Sequence, residues 1–170
     1  ELIGVPMDAG AGRRGVCLGP EALRVAGIEN AFRTLGQGVS DGGDISGPRS
    51  PDTPPADGYR HLAEVAAWTA AIRDRVAASL ESGNRPVILG GDHSLSIGSI
   101  GGIAKVCRSR SIPLSVLWID AHADFNTPET SPSGNIHGMP LATLCGHLDE
   151  PALAPLGRGI AAVAPENVHL

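Results

Sequence analysis

With 170 residues, 42% hydrophobic and 18% charged, the chain is long enough for one domain with a real core. A net charge of -5 and the lack of a basic stripe exclude nucleic acid and anionic membranes as natural partners. Only 3% of residues are aromatic, so Val, Ile, Leu and Ala must build the interior; 23 glycines and 14 prolines call for long connections.

The chain opens inside an apolar run, Glu1-Leu2-Ile3-Gly4-Val5, and closes in another, Asn167-Val168-His169-Leu170, so both ends read as cut. No run is long enough to span a bilayer and no signal peptide is evident. Cys17, Cys107 and Cys145 form no CxxC pair, which fits a reducing compartment, the cytoplasm.

Leu2 to Pro6 reads as a short buried strand. Gly10, Gly12 and Gly15 have GxGxxG spacing, but no helix opens directly after them and no Lys follows. A mobile loop is the better reading than a nucleotide cradle. Pro20 suits the first position of a helix reaching about Ala26, and a second helix covers Glu29 to Leu35. Val39 to Ile45 is a second strand. Gly47 to Gly58 is rich in Pro, Ser and Asp, a composition that favours exposure over chemistry. Tyr59 to Ser82 is the longest helix, with Val65, Trp68, Ile72, Val76 and Leu80 at helical spacing and His61 on its wet side.

Pro86 to Leu89 is a third strand, running into Gly90-Gly91-Asp92-His93-Ser94. Asp92 or Ser94 caps a helix over Leu95 to Val106, whose Gly98, Gly101 and Gly102 permit close packing against a strand. Leu114 to Ile119 is a fourth strand, His137 to Cys145 a short helix, Pro151 to Pro165 a loop, and Val168 begins a fifth strand. Apolar strands alternating with helices predict a mainly parallel sheet covered on both faces. In such sheets ligands bind beyond the carboxyl ends of the strands, where His93 and the segment Asp120-Ala121-His122-Ala123-Asp124 both fall.

If extended geometry persists past Ile119, Asp120, His122 and Asp124 share one face. Ionisable groups gathered at the end of a buried strand need a compensating charge, and a divalent cation supplies it. Carboxylates with imidazole suit manganese, zinc or iron better than calcium. Two such cations sit about 3.5–4 Å apart and acidify the water between them, which points to hydrolysis at an electrophilic carbon or phosphorus. The polar run Asn126 to Asn135 offers neutral hydrogen-bond donors suited to a carboxylate, with a loop bonding to its own backbone as the alternative. His137, at a helix start nearby, is placed to shuttle protons.

Three pieces carry a resemblance: Leu89-Gly90-Gly91-Asp92-His93-Ser94, Asp120 through Pro128, and Ser133-Gly134-Asn135-Ile136-His137-Gly138. Together with Gly19-Pro20 and Leu23-Arg24 they resemble the ureohydrolase superfamily and, within it, the arginase family, in its amino-terminal half. The resemblance implies one ureohydrolase domain over residues 1–170 with a three-layer αβα sandwich, incomplete here. It implies a binuclear manganese enzyme that hydrolyses L-arginine to L-ornithine and urea by attack of a metal-bridging hydroxide. His93, Asp120 and Asp124 would hold one ion, and His122 with bridging Asp120 the other. Asp124 would help protonate the departing amine, His137 would act as shuttle, and Asn126, Ser131, Ser133 and Asn135 would recognise the α-carboxylate. The whole protein would be a homo-oligomer, a trimer or hexamer.

The family's second acidic motif has no match here; Asp149, Glu150 and Glu166 are the only later acids, none in a matching context. The chain alone is therefore expected to bind manganese weakly, to catalyse little, and to expose a poorly soluble sheet edge. Three rivals follow. An agmatinase or other guanidino-substrate amidinohydrolase would use the same metals. A non-catalytic family member would serve as an assembly subunit. A phosphate-binding module would use Gly10 to Gly15.

Overall fold

The computed structural model describes residues 1–170. Five short strands alternate with five helices: β1 (Leu2–Val5), α1 (Gly19–Val25), α2 (Ile28–Thr34), β2 (Asp41–Asp44), α3 (Leu62–Glu81), β3 (Val87–Gly90), α4 (Leu95–Ser109), β4 (Val116–Leu117), α5 (Pro140–Leu144) and β5 (Val168–His169). Every pairing is parallel. β1 lies between β2 and β3, in register with β3 from Leu2 opposite Val87 to Val5 opposite Gly90.

The layering follows from alternation along β1. A side chain at Gly4 would collide with the Asp44 carboxylate and the Arg24 guanidinium, so α1 covers that face. Arg24 fixes it there, its Nε 2.6 Å from Asp41 and its Nη1 2.6 Å from Asp44. Val5 faces the other way, into a core with Val65, Trp68, Ile72 and Val76 of α3 and Ile97 of α4. Helices on both faces of a parallel sheet make a three-layer αβα arrangement, as expected. Each fully buried aliphatic side chain of the α3 stripe contributes about 1.5–3 kcal/mol.

Four local expectations are corrected. β2 is not apolar: its sequence is Asp-Gly-Gly-Asp, all four residues are exposed, and it is an edge strand. Gly98 and Gly102 approach a helix, not a strand; a Cβ at Gly98 would stand 2.7 Å from the Thr69 carbonyl oxygen, and one at Gly102 2.6 Å from that of Arg73. The third glycine, Gly101, faces Pro155. The fourth strand shrinks from six residues to Val116–Leu117, and it pairs with β5. Val116 and Trp118 are buried and Leu117 and Ile119 exposed, so one face of the segment meets the core.

A second core, of Val116, Trp118, Leu141, Leu144, Cys145 and Val163, ties β4 to α5. The expected helix from His137 divides into a 3-10 turn, Ile136–Gly138, and α5, because Pro140 lacks the N–H that would continue the first. No helix is long and apolar enough to cross a membrane.

Candidate metal centre

His93 follows β3 by three residues and is placed by its neighbour Asp92. Asp92 is buried, and its carboxylate accepts the N–H of Gly10 at 2.9 Å, the N–H of Ser94 at 2.9 Å and the Ser94 hydroxyl. Burial pushes the Asp92 carboxyl up; these hydrogen bonds favour its ionised form and oppose the shift. The carbonyl of Gly10 in turn accepts the backbone N–H of His137 at 3.1 Å. One buried carboxylate thus joins the loops after β1 and β3, and through Gly10 reaches the segment carrying His137. Of the two expected caps, Ser94 makes none and already has helical φ and ψ, whereas Asp92 does accept the N–H two residues on, that of Ser94, at the entry to α4.

The second half of the site follows β4. The Trp118 ring is buried and lies against His93, centroids 4.9 Å apart. Extended geometry does not persist beyond Ile119, contrary to the expectation. The chain bends at Asp120 to His122, and Asp124 has φ +45°, the left-handed region that Asp tolerates better than most residues. Two backbone bonds hold that turn: Leu141 N–H to the Asp124 carbonyl at 3.0 Å, and Asn126 N–H to the Gly138 carbonyl at 2.9 Å. Asp120 accepts the N–H of His122 at 2.9 Å, the main cause of its lowered carboxyl pKa, with the positive potential of His93 beside it also contributing.

The bend still brings the acids to the imidazole. His93 Nδ1 lies 2.7 Å from Asp124 Oδ2 and 3.0 Å from Asp120 Oδ2. The donor atoms of these three residues all fall within 4.8 Å of one another. Ligands about 2.1 Å from an octahedral ion lie about 3.0 Å from each other in adjacent positions. Two carboxylate oxygens and an imidazole nitrogen at this spacing fit a first-row divalent cation. His122 stands apart: its side chain is 81% exposed and its Nδ1 is 3.3 Å from Asp120 Oδ1. It lines the same hollow, on the side of Asp120 away from His93.

That hollow, about 580 Å³, also takes in Asn126 and His137. A second one, about 490 Å³, shares His93 and His137 and continues toward Gly12, Arg13 and Asn135. A larger depression of about 820 Å³ opens at the opposite ends of β1 and β3, beside Glu1, Phe32 and Arg85, and none of the predicted site residues lines it.

The substrate-loop candidates divide. Asn126 lines the first hollow, and its Oδ1 accepts the Thr130 hydroxyl at 3.2 Å. Ser131 and Ser133 accept the backbone N–H groups of Gly134 and Asn135 at 3.1 and 3.3 Å, so their hydroxyl oxygens serve the loop's own turns. Asn135 borders the second hollow and is held from behind. Arg60 Nε donates to its Oδ1 at 2.8 Å, and the Arg60 N–H donates to the Gly134 carbonyl at 2.8 Å.

Arg60 and His61 escape a reading based on helical periodicity, since α3 begins only at Leu62. His61 is not on a wet face: its Nδ1 is 2.8 Å from the Ala9 carbonyl oxygen and its Nε2 3.2 Å from that of Thr53. The loop before them has a job as well. Ala56 and Tyr59 exchange two backbone hydrogen bonds around Asp57 and Gly58, with φ +51° and +79°. Asp-Gly with two positive φ values is a two-residue hairpin turn, and that dipeptide was the available signal.

Residues 1–167 match the model of the arginase family. The chain is 41% identical over 167 residues to an arginase from Brevibacillus brevis, covering 98% of this chain and 54% of that protein. Its fold superposes on the arginase of Bacillus caldovelox with a TM-score of 0.87 at 42% identity, covering 98% of this chain and 55% of that one. An Entamoeba histolytica arginase, solved in complex with L-ornithine, superposes with a TM-score of 0.86 at 34% identity, covering 98% and 55%. The chain thus spans about half the length of the relatives it matches. A family match over nearly all its residues, on a fold that gathers His93, Asp120 and Asp124 beyond the sheet, leads to one conclusion: this chain belongs to the arginase family.

Proposed function

We propose that the protein is a manganese-dependent amidinohydrolase that converts L-arginine to L-ornithine and urea, and that this chain carries one cation position and the carboxylate-recognition loop. The observation that carries the reading is the convergence of His93, Asp120 and Asp124 beside Asn126 and His137. When bound, a pair of manganese ions would supply an acidified water as the nucleophile. His93, Asp120 and Asp124 would hold one ion, and Asp120 and His122 would offer ligands to the other.

The remaining chemistry belongs to side chains. Asp124 directs Oδ2 at His93, which leaves Oδ1 to hold a proton and pass it to the departing amine. His137, on the wall shared by both hollows, would carry to solvent the separate proton released when the water ionises. Asn126 and Asn135 donate side-chain N–H groups to the α-carboxylate; Ser131 and Ser133 join them directly or through water. The L-ornithine held by the Entamoeba arginase supports an amino-acid ligand over a decarboxylated one. In the same reading the whole protein is a cytoplasmic homo-oligomer, supported by three free cysteines and by the exposed apolar side chains Leu18, Val25 and Leu35.

Calorimetric titration with manganese tests the metal assignment. We expect one weak binding event per chain, abolished in His93→Ala, and little urea release from arginine by this chain alone. Tight binding of two ions per chain, or binding indifferent to His93, overturns it. Paramagnetic broadening of ligand resonances by bound manganese tests the substrate. L-arginine should be broadened at concentrations where agmatine is not, and the reverse order would favour an agmatinase.

A further inference from the structure

We propose that Arg60 is the positioning residue of the substrate loop: it fixes which end of the Asn135 amide faces the pocket and so sets a preference for ligands bearing a carboxylate. The inference rests on the substrate reading given above for its second half only.

A side-chain amide is nearly symmetric in shape, and its two ends have opposite hydrogen-bonding character. An unconstrained Asn can present either an acceptor or a donor to a ligand. Arg60 removes that freedom, because a guanidinium carries donors only. With Nε 2.8 Å from Asn135, the facing atom has to be Oδ1. Nδ2 is thereby the amide atom nearer the Gly12 edge of the second hollow: a Cβ on Gly12 would stand 2.9 Å from it and 3.5 Å from Oδ1. The donating end is the one set forward for a ligand there.

The backbone makes the arrangement rigid. The Arg60 N–H is bonded to the Gly134 carbonyl, so the residue grips the loop through main chain and side chain together. The Asp57-Gly58 turn backs this grip: Gly134, at φ +64°, is packed so tightly that a Cβ on it would stand 3.0 Å from the Gly58 carbonyl oxygen. Charge adds to geometry. Arg60, half-buried, has no acidic partner, and neither does Arg13 on the rim of the same hollow. The uncompensated positive charge of Arg60 lies one hydrogen bond behind the amide that would meet an anion. A carboxylate gains from both the donor and the field, and an amine ligand lacking the carboxylate gains from neither.

The test uses the 170-residue chain, its Arg60→Met and Arg60→Lys variants, and two readouts. The first is the nuclear Overhauser cross-peak between the Asn135 side-chain amide protons and the Gly12 α-protons. It should be present in the parent, weakened or lost in Arg60→Met, and retained in Arg60→Lys, which keeps a donor. The second is titration with L-arginine and with agmatine in magnesium buffer. Arg60→Met should weaken L-arginine binding about tenfold and leave agmatine unchanged. Circular dichroism identifies a variant that has simply unfolded, in which case Arg60→Lys carries the comparison. An unchanged cross-peak in folded Arg60→Met overturns the positioning role, and equal weakening of both ligands overturns the carboxylate preference. If the parent binds neither ligand while the cross-peak still depends on Arg60, the substrate reading fails and the positioning role stands.

Discussion

The proposed metal corner and the proposed substrate loop lie side by side and are built by opposite means. The corner has its charges placed by buried structure: Asp92 below the sheet ends, Trp118 against the His93 ring, and a left-handed Asp124 held by two backbone bonds. The loop from Asn126 to Asn135 is largely exposed and is shaped by its own hydroxyls and by one arginine from another segment. Gathering charges requires a frame that resists their repulsion. Presenting neutral donors requires only that each be turned the right way.

Removing the frame should have the largest effect. Asp92→Ala leaves the amides of Gly10 and Ser94 and the Ser94 hydroxyl without their acceptor, in a place water scarcely reaches. We expect a loss of about 3 kcal/mol of stability in urea denaturation. Manganese affinity should fall about 10–100-fold, as for other residues that orient a ligand. An unaltered denaturation midpoint would mean that the two loops are held by something else.

Next comes the contrast between ligand and loop. Asp124→Asn keeps the shape of the corner and removes a charge, so manganese affinity should drop by about 100-fold or more in calorimetry. Ser133→Ala should leave it unchanged, since Ser133 accepts the Asn135 N–H and is no part of the metal group. Equal losses from both would erase the division drawn above.

The smallest effect belongs to a charge cluster with no part in the site. The Arg24 guanidinium, and then the Gly43 N–H, hold the Asp41 carboxyl below its usual range. A folded-state value below the unfolded one gives stability that is present above about pH 3.9 and is lost as pH falls through the folded value. Asp41→Asn should therefore flatten the acid limb of the stability curve, by about 1 kcal/mol or less for so exposed a pair. Manganese binding at neutral pH should not change. If it does, the edge strand and the corner are coupled.

Much of this was legible in the sequence because the burial pattern and the ligand residues are local signals. The stripe from Val65 to Val76 announces α3, and His93, Asp120 and Asp124 stand directly after apolar strands. What escaped depends on contacts between distant segments. Alternation placed His122 beside Asp120 and Asp124, but the bend turns it to solvent. Composition dismissed the loop before α3, although its Asp57-Gly58 turn delivers Arg60 to a residue 75 positions away. The shortness of β4 was hidden because Leu117 and Ile119 are as apolar as core residues and stay exposed.

The glycine seam between α3 and α4 has a mechanical consequence for the corner. Where Gly98 and Gly102 face α3, the two backbones approach with no side chain between them. A methyl group at either position would act as a shim. It would tip the first turn of α4 and lift the imidazole just upstream away from its carboxylates. In the proposed site, the spacing of the three ligands would thus depend in part on two residues that have no side chain to offer.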